Sequence, residues 1–330
     1  MAIKLSIITI NYNNVAGLKK TLDSVAVQTC TDFEHIIVDG GSTDGSVEVV
    51  EAYASVAACE TSSNDIEDVV TAANAAAISQ PANGAQLRNA IQLANGTLPA
   101  HNAHYQIQWI SEKDTGIYNA MNKGVRMATG EYTLMLNSGD YLVDENVIER
   151  IISLFDGTDI IQGNTIEDYH NKKVRNRGYG KSNIDFFDVM KGYFLHQASF
   201  CRRDLFDRYG MFDESYRIIG DTKFFMTSLG INNASFKYVD VDVANYETTG
   251  ISAEKHGQWA DRRAKEFRRM RDELYSKRLN SFFEDNDKKV RLYNTLHQHR
   301  WIWKIVMLLV HIHDFLYTKE KLPPFKNTVQ

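Results

Sequence analysis

Short apolar runs rich in β-branched residues alternate along this chain with segments of helical period, and each run breaks into a polar turn. Leu5–Ile10 (LSIITI) runs into NYNN, His35–Val38 (HIIV) into DGGSTDGS, Ile107–Ser111 (IQWIS) into EKDTG, and Tyr132–Leu136 (YTLML) into NSGD. Between them, Val15–Val27 sets Leu18, Leu22 and Val25 on one helical face, Val47–Tyr53 reads as helix, and Ile117–Thr129 repeats the period. Strand and helix alternating at these lengths leave one economical solution. Parallel strands are joined by crossovers, and the helices cover the faces of a mostly parallel central α/β sheet.

The pattern continues with a helix at Val147–Phe155, a strand at Asp159–Gln162, and a basic, glycine-containing loop at Asn171–Lys181. Ser199–Phe200 and Lys237–Val243 read as strands, with helices near Arg203–Tyr209 and Asp221–Leu229. Residues 54–104 interrupt it: 51 residues hold 14 alanines, no aromatic, and Arg88 as the one basic residue. Two faces of helical period there predict an inserted pair of Ala-rich helices; a surface excursion without function is the competing reading. We therefore expect a catalytic domain over 1–254 with an insert at 54–104, and a helical tail over 255–330.

The formal charge of −5 conceals a division. Residues 1–254 carry 20 Lys/Arg against 33 Asp/Glu, whereas residues 255–330 carry 17 against 9. Three scattered cysteines, Cys30, Cys59 and Cys201, make neither a zinc cluster nor a disulfide framework, and predict a reducing, cytoplasmic setting. The N-terminal apolar run is too short for a signal peptide, and no stretch of about 18 apolar residues predicts a membrane span.

In open parallel sheets ligands bind outside the carboxyl ends of the strands, where helix N-termini leave N–H groups free. The acid-bearing turns of this chain fall there. Taken singly each is ordinary: the turn from Asp39 lacks the spacing of a dinucleotide or P-loop motif and reads as a cap at Ser42. NSGD reads as a plain turn, and Asp221 in IIGDTKFF as an N-cap. Together, SIITINYNN, QTCTDFEHIIVDGGSTDGS, ISEKDTGIYNAMNKGVRMATGEYTLMLNSGDYL and HQASFCRRDLFDRYGMFDESYRIIGDTKFF closely resemble, in order and spacing, the inverting family-2 glycosyltransferases of GT-A fold. The likeness is to the bacterial enzymes of polysaccharide, lipopolysaccharide and O-antigen assembly, over residues 3–53 and 107–252.

The resemblance implies roles by position. Tyr12 packs on the donor's nucleobase; Asp39, Asp114, Asn122 and Asn137 belong to the donor side; His196 and Gln197 line the acceptor side; Asp221 is the catalytic base. Asn137–Asp140 occupies the place of the metal motif, with Asp140 its one remaining carboxylate, so Mn²⁺ or Mg²⁺ is implied, held mainly through the diphosphate and water. Gly40 stands where many relatives carry a second acid, Lys223 where an acid often follows the base, and Gly250-Ile251-Ser252 resembles the domain's end. The implied reaction moves a hexose or N-acetylhexosamine from a nucleotide-diphosphate sugar, a UDP-sugar foremost, to a saccharide or lipid-diphosphate-linked saccharide. No QxxRW signature of processive synthases is present.

The tail admits several readings. Residues 255–278 are strongly charged, and Trp301–Tyr317 sets Trp301, Ile305, Leu308, Leu309 and Ile312 near one face. Peripheral contact through 255–317 with the inner face of the cell membrane, packing on the catalytic domain, and association with a second copy all stand open. A catalytically silent sugar-binding or scaffold subunit is the rival function. A sugar nucleotidyltransferase would need a basic, Gly-rich first turn that NYNN does not offer. The basic stretch carries no nucleic-acid module.

Overall fold

The computed structural model describes residues 3–59, 105–169, 172–192, 194–248, 257–281 and 300–317. The expected helical pair over most of the insert, and Gly250-Ile251-Ser252, lie outside the described residues. Strand β1 (Leu5–Asn11), helix α1 (Val15–Ala26), β2 (Phe33–Asp39), α2 (Ser46–Cys59), β3 (Gln106–Ser111), α3 (Ile117–Met127) and β4 (Tyr132–Met135) follow the expected alternation. After them come β5 (Tyr141–Leu142), α4 (Val147–Ile152), β6 (Ile160–Tyr169), β7 (Lys172–Asn176), α5 (Phe186–Lys191) and a 3-10 turn, His196–Ala198. Next are β8 (Ser199–Arg202), α6 (Asp204–Tyr209), α7 (Gly220–Phe225), a π turn at Met226–Ile231, β9 (Phe236–Glu247), α8 (Gln258–Leu274) and α9 (Arg300–Tyr317).

The strands form one sheet in the order β3-β2-β1-β4-β8-β6-β9-β5, with β7 paired to β6. Its first half is parallel throughout, and the registers Asn11↔Asp39 and Asp39↔Ser111 bring the ends of β1, β2 and β3 level. β8 turns the sheet antiparallel against both β4 and β6, and the long β6–β9 ladder is parallel again. The result is the α/β architecture expected of a GT-A fold. Helices cover both faces: Ile37 packs with Leu18 and Leu22 of α1 and Val49 and Val50 of α2, while Gly124 lets α3 close on Ile8 from the other side. β1 and β2 are buried nearly end to end, as a sheet covered on both faces requires.

One expectation is corrected. The segment read as a basic loop contains β7, paired antiparallel with Thr165–Tyr169. Its basic residues are what an exposed edge strand tolerates, and Arg175 finds acids, bridging Asp240 and Asp242. The chain divides into two units, Met1–Phe267 and Arg268–Gln330, the division falling inside α8. No helix among the described residues is long and apolar enough to cross a membrane.

Candidate active site

Two polar turns are stitched together at the ends of β1 and β2. Ser42 Oγ accepts from Asn13 N at 2.8 Å, Asp44 from Val15 N at 2.8 Å, and Asn13 Oδ1 from Thr43 N at 2.9 Å. Asp39 organises the junction and is 1% exposed. Its oxygens accept from Asn11 Nδ2, Gly41 N, Ser42 N, Ser42 Oγ and Ser111 Oγ. Burial alone would raise its pKa; those donors, led by Ser42, outweigh burial and lower it. Asp39 thus holds the rim together with oxygens already engaged.

Above this rim lies a cleft of about 470 Å³, lined by Tyr12, Gly40, Asp114, Lys113 and Arg217 among others. Tyr12 is 66% exposed, an apolar ring offered to solvent. Asp114 Oδ1 accepts from Gly116 N at 2.9 Å, and its Oδ2 lies 2.5 Å from where a Cβ on Gly40 would sit. The bare glycine therefore makes room for an acid arriving from another strand. Lys113 and Arg217 bring two cationic side chains with no protein partner among the described residues. Asn122 stands apart from the cleft: its amide ties Phe212 and Glu214, clamping the segment that leads to Asp221.

On the other side, a chain of hydrogen bonds crosses from α3 to the NSGD turn. Tyr118 donates its hydroxyl to Asp221 Oδ1 at 2.9 Å, His196 Nδ1 meets Asp221 Oδ2 at 3.0 Å, and Asn137 Nδ2 meets His196 Nε2 at 3.2 Å. An amide nitrogen only donates, so Nε2 accepts and Nδ1–H points at the carboxylate. Asp221 lies in the first turn of α7, whose N-cap is Ile219. Burial works against its charge, but the hydrogen bonds from His196, the Thr222 backbone and Tyr118 prevail and lower its pKa. His196 is the mirror case: burial opposes its charge, while Asp221 and then Asp140 raise its pKa. The ring of Tyr118 reaches Asp221 because residue 220 is glycine; a Cβ there would lie 2.8 Å from that ring.

Asp140 is 5% exposed, accepts from Glu247 N at 3.1 Å, and hydrogen-bonds to Gln197. Burial pushes its carboxyl up to about 7. His196 and Gln197 thus divide their work, one toward Asp221 and one toward Asp140. Lys223 turns away from Asp221 to pair with Asp213 at 2.6 Å, stacked over Tyr216. The structure brings Asn137, His196 and Asp221 into one chain, sets Asp140 and Gln197 beside it, and puts Tyr12 and Asp114 in the cleft. Tyr118 and Arg217 were not singled out from the sequence. Their one available signal was position, one residue into a predicted helix and four before Asp221.

The glycosyl transferase family 2 model matches residues 6–80 and 100–211, more than half of the chain. A PGL/p-HBAD biosynthesis glycosyltransferase of Mycobacterium bovis is 28% identical over 250 residues, 74% of this chain and 77% of that one. An uncharacterized glycosyltransferase of Mycobacterium tuberculosis is 25% identical over 267 residues, 76% and 78% respectively. Among solved structures, S. aureus TarS in complex with UDP-GlcNAc superposes with a TM-score of 0.52 at 18% identity, over 78% of this chain and 60% of that chain. The last likeness speaks for the fold, and the family match for the chemistry. The strand-end cleft, the acid-bearing turns and the matched residues all fall on one catalytic unit: the chain is a glycosyltransferase and belongs to family 2.

Proposed function

We propose that this chain is an inverting enzyme that moves a hexose or N-acetylhexosamine from a nucleotide-diphosphate sugar to a saccharide acceptor in bacterial surface polysaccharide assembly. A UDP-sugar is the donor class to test first, since the fold is shared with a chain crystallised with UDP-GlcNAc. A lipid-diphosphate-linked acceptor is part of the proposal. The reading is carried by the Tyr118–Asp221–His196–Asn137 chain beside a cleft that offers an aromatic face, an acid and two cations. Tyr12 suits a nucleobase face, Asp114 the donor hydrogens of the nucleoside, and Lys113 and Arg217 the diphosphate. Asp39 and Asn122 serve by positioning these groups.

An acceptor hydroxyl is a weak nucleophile at neutral pH. Asp221, held ionised, takes its proton as the oxygen attacks the anomeric carbon from the face opposite the diphosphate. The bond between that carbon and the diphosphate oxygen breaks, its electron pair leaving with the diphosphate. Tyr118 and His196 fix the carboxylate in place. A divalent cation, Mn²⁺ or Mg²⁺, is implied by the family, and the residues fit it. Asn137 Oδ1 is a buried oxygen without a hydrogen-bond partner, in the same turn as Asp140. Among the described residues no group of three or more His, Cys, Asp or Glu gathers, so the protein's share of the ligands is small. When bound, such an ion offsets the charge that develops on the diphosphate.

Asp221→Asn keeps the shape and removes the base. Transfer falls at least 10³-fold while nucleotide affinity stays within twofold, on the general scale of acid–base contributions of about 10²–10⁴. Nucleotide release from a panel of UDP-, GDP- and dTDP-sugars reads transfer, and calorimetric titration with the nucleotide reads affinity. Wild-type turnover by the variant removes Asp221 as the base, and no turnover of any donor by the wild type favours the scaffold reading.

A further inference from the structure

The geometry points to Glu247, the last residue of β9, as the second protein carboxylate of the cation site whose first is Asp140. This rests on the metal-dependent reading above. The NSGD turn keeps one acid, and the position between its serine and that acid is Gly139, with φ +105°. A Cβ at 139 would lie 2.9 Å from Glu247 Oε2 and 3.9 Å from its carboxyl carbon. The carboxylate therefore lies over the turn, in space that any side chain at 139 would claim.

The backbone fixes that placement. Glu247 N donates to Asp140 Oδ1 at 3.1 Å, so the peptide carrying one acid binds the other directly. β9 is held from both sides, with Asp168↔Glu247 in the parallel ladder to β6 and Tyr141↔Asn245 in the antiparallel pair with β5. Residue 247 has little freedom to move away.

The electrostatics of the turn call for a cation. The Glu247 carboxylate has no hydrogen bond or ion pair among the described residues. Asn137 Oδ1, buried and unpartnered, is a third oxygen in the same turn. Two carboxylates and an amide oxygen are hard donors of the kind Mn²⁺ and Mg²⁺ prefer, with diphosphate oxygens and water to complete the sphere. The family match ends at residue 211, so nothing in it assigns residue 247.

The test is Mn²⁺ binding by the full chain, read from loss of the free-ion electron paramagnetic resonance signal with and without UDP. UDP binding in EDTA is measured alongside by calorimetry. Glu247→Gln is expected to weaken Mn²⁺ at least tenfold and to leave metal-free UDP affinity within twofold. Glu247→Ala, checked for a wild-type circular dichroism spectrum, is expected to match it. Wild-type Mn²⁺ affinity in both variants, with Asp140→Asn impaired, overturns the role of Glu247 and leaves the metal reading standing. Absence of Mn²⁺ binding by the wild type in either condition overturns both.

Discussion

His35, in β2 beside Ile7 of β1, is fully buried, and burial pushes its imidazole down to about 3. Its Nε2 lies 2.9 Å from Thr9 Oγ1, and that hydroxyl donates onward to Leu136 O, so Nε2 carries the proton and the ring is neutral. His196 is the same side chain beside two acids, and its pKa rises instead. Neighbours, more than burial, separate a structural histidine from one in the site. The sign for His35 follows from linkage. Its folded pKa lies below the unfolded value of about 6.5, so the unfolded chain binds the extra proton as pH falls from 6.5 toward 3, and stability drops in that window. Urea unfolding should show wild type losing about 1.4 kcal/mol more than His35→Gln between pH 7.5 and 5.5. Equal losses in the two proteins would show that His35 is protonated in the fold.

At the level of elements, the N-terminal half of α8 belongs with the candidate site. Glu266 is 7% exposed and accepts from the backbone N–H groups of Arg217, Ile218 and Ile219 at 3.0, 2.9 and 3.3 Å, steadied by Arg262. Those three residues lead straight into α7 and Asp221, and Arg217 lines the cleft. This strongly charged helix thus clamps the loop that leads into Asp221. Hydrogen bonds to a charged group contribute about 1.5–3 kcal/mol each, so Glu266→Leu should lower the melting temperature and cut transfer at least tenfold. Ending the chain at residue 254 should do the same or worse, whereas ending it after 281 should preserve activity; an active 1–254 fragment would refute this. The strands, crossovers and polar turns were legible in the sequence because hydrophobic period and chain order encode them. β7 was hidden by its charges, and Tyr118 and Glu247 by distance along the chain: Tyr118 meets an acid 103 residues away, and Glu247 one 107 away. Gly139 and Gly220 held that information as missing side chains, which no local pattern distinguishes from ordinary turn glycines.

The charge division of the whole molecule, −13 over residues 1–254 and +8 over 255–330, has a structural counterpart in α9. Trp301, Leu308 and Leu309 are 68%, 60% and 59% exposed, and Ile305 and Ile312 join them. The spacing of these residues sets them along one face of the helix, with Lys304 in the same turns. A helix of 18 residues with an interrupted apolar face does not span a bilayer, but it suits lying in the plane of one, with basic residues toward anionic headgroups. Each Lys or Arg near such a surface contributes about 1 kcal/mol and is screened within a Debye length of about 8 Å at physiological salt, so the two contributions separate by ionic strength. The full chain should co-sediment with vesicles containing anionic phosphatidylglycerol and bind far less to neutral phosphatidylcholine. High salt should weaken binding without abolishing it, because the apolar face remains. The double substitution Leu308→Glu and Leu309→Glu should reduce sedimentation at least tenfold while leaving transfer to a soluble acceptor unchanged. Unaltered sedimentation would remove the membrane role, and a wild-type dimer in light scattering that the same substitutions dissociate would assign the face to a second copy of the chain.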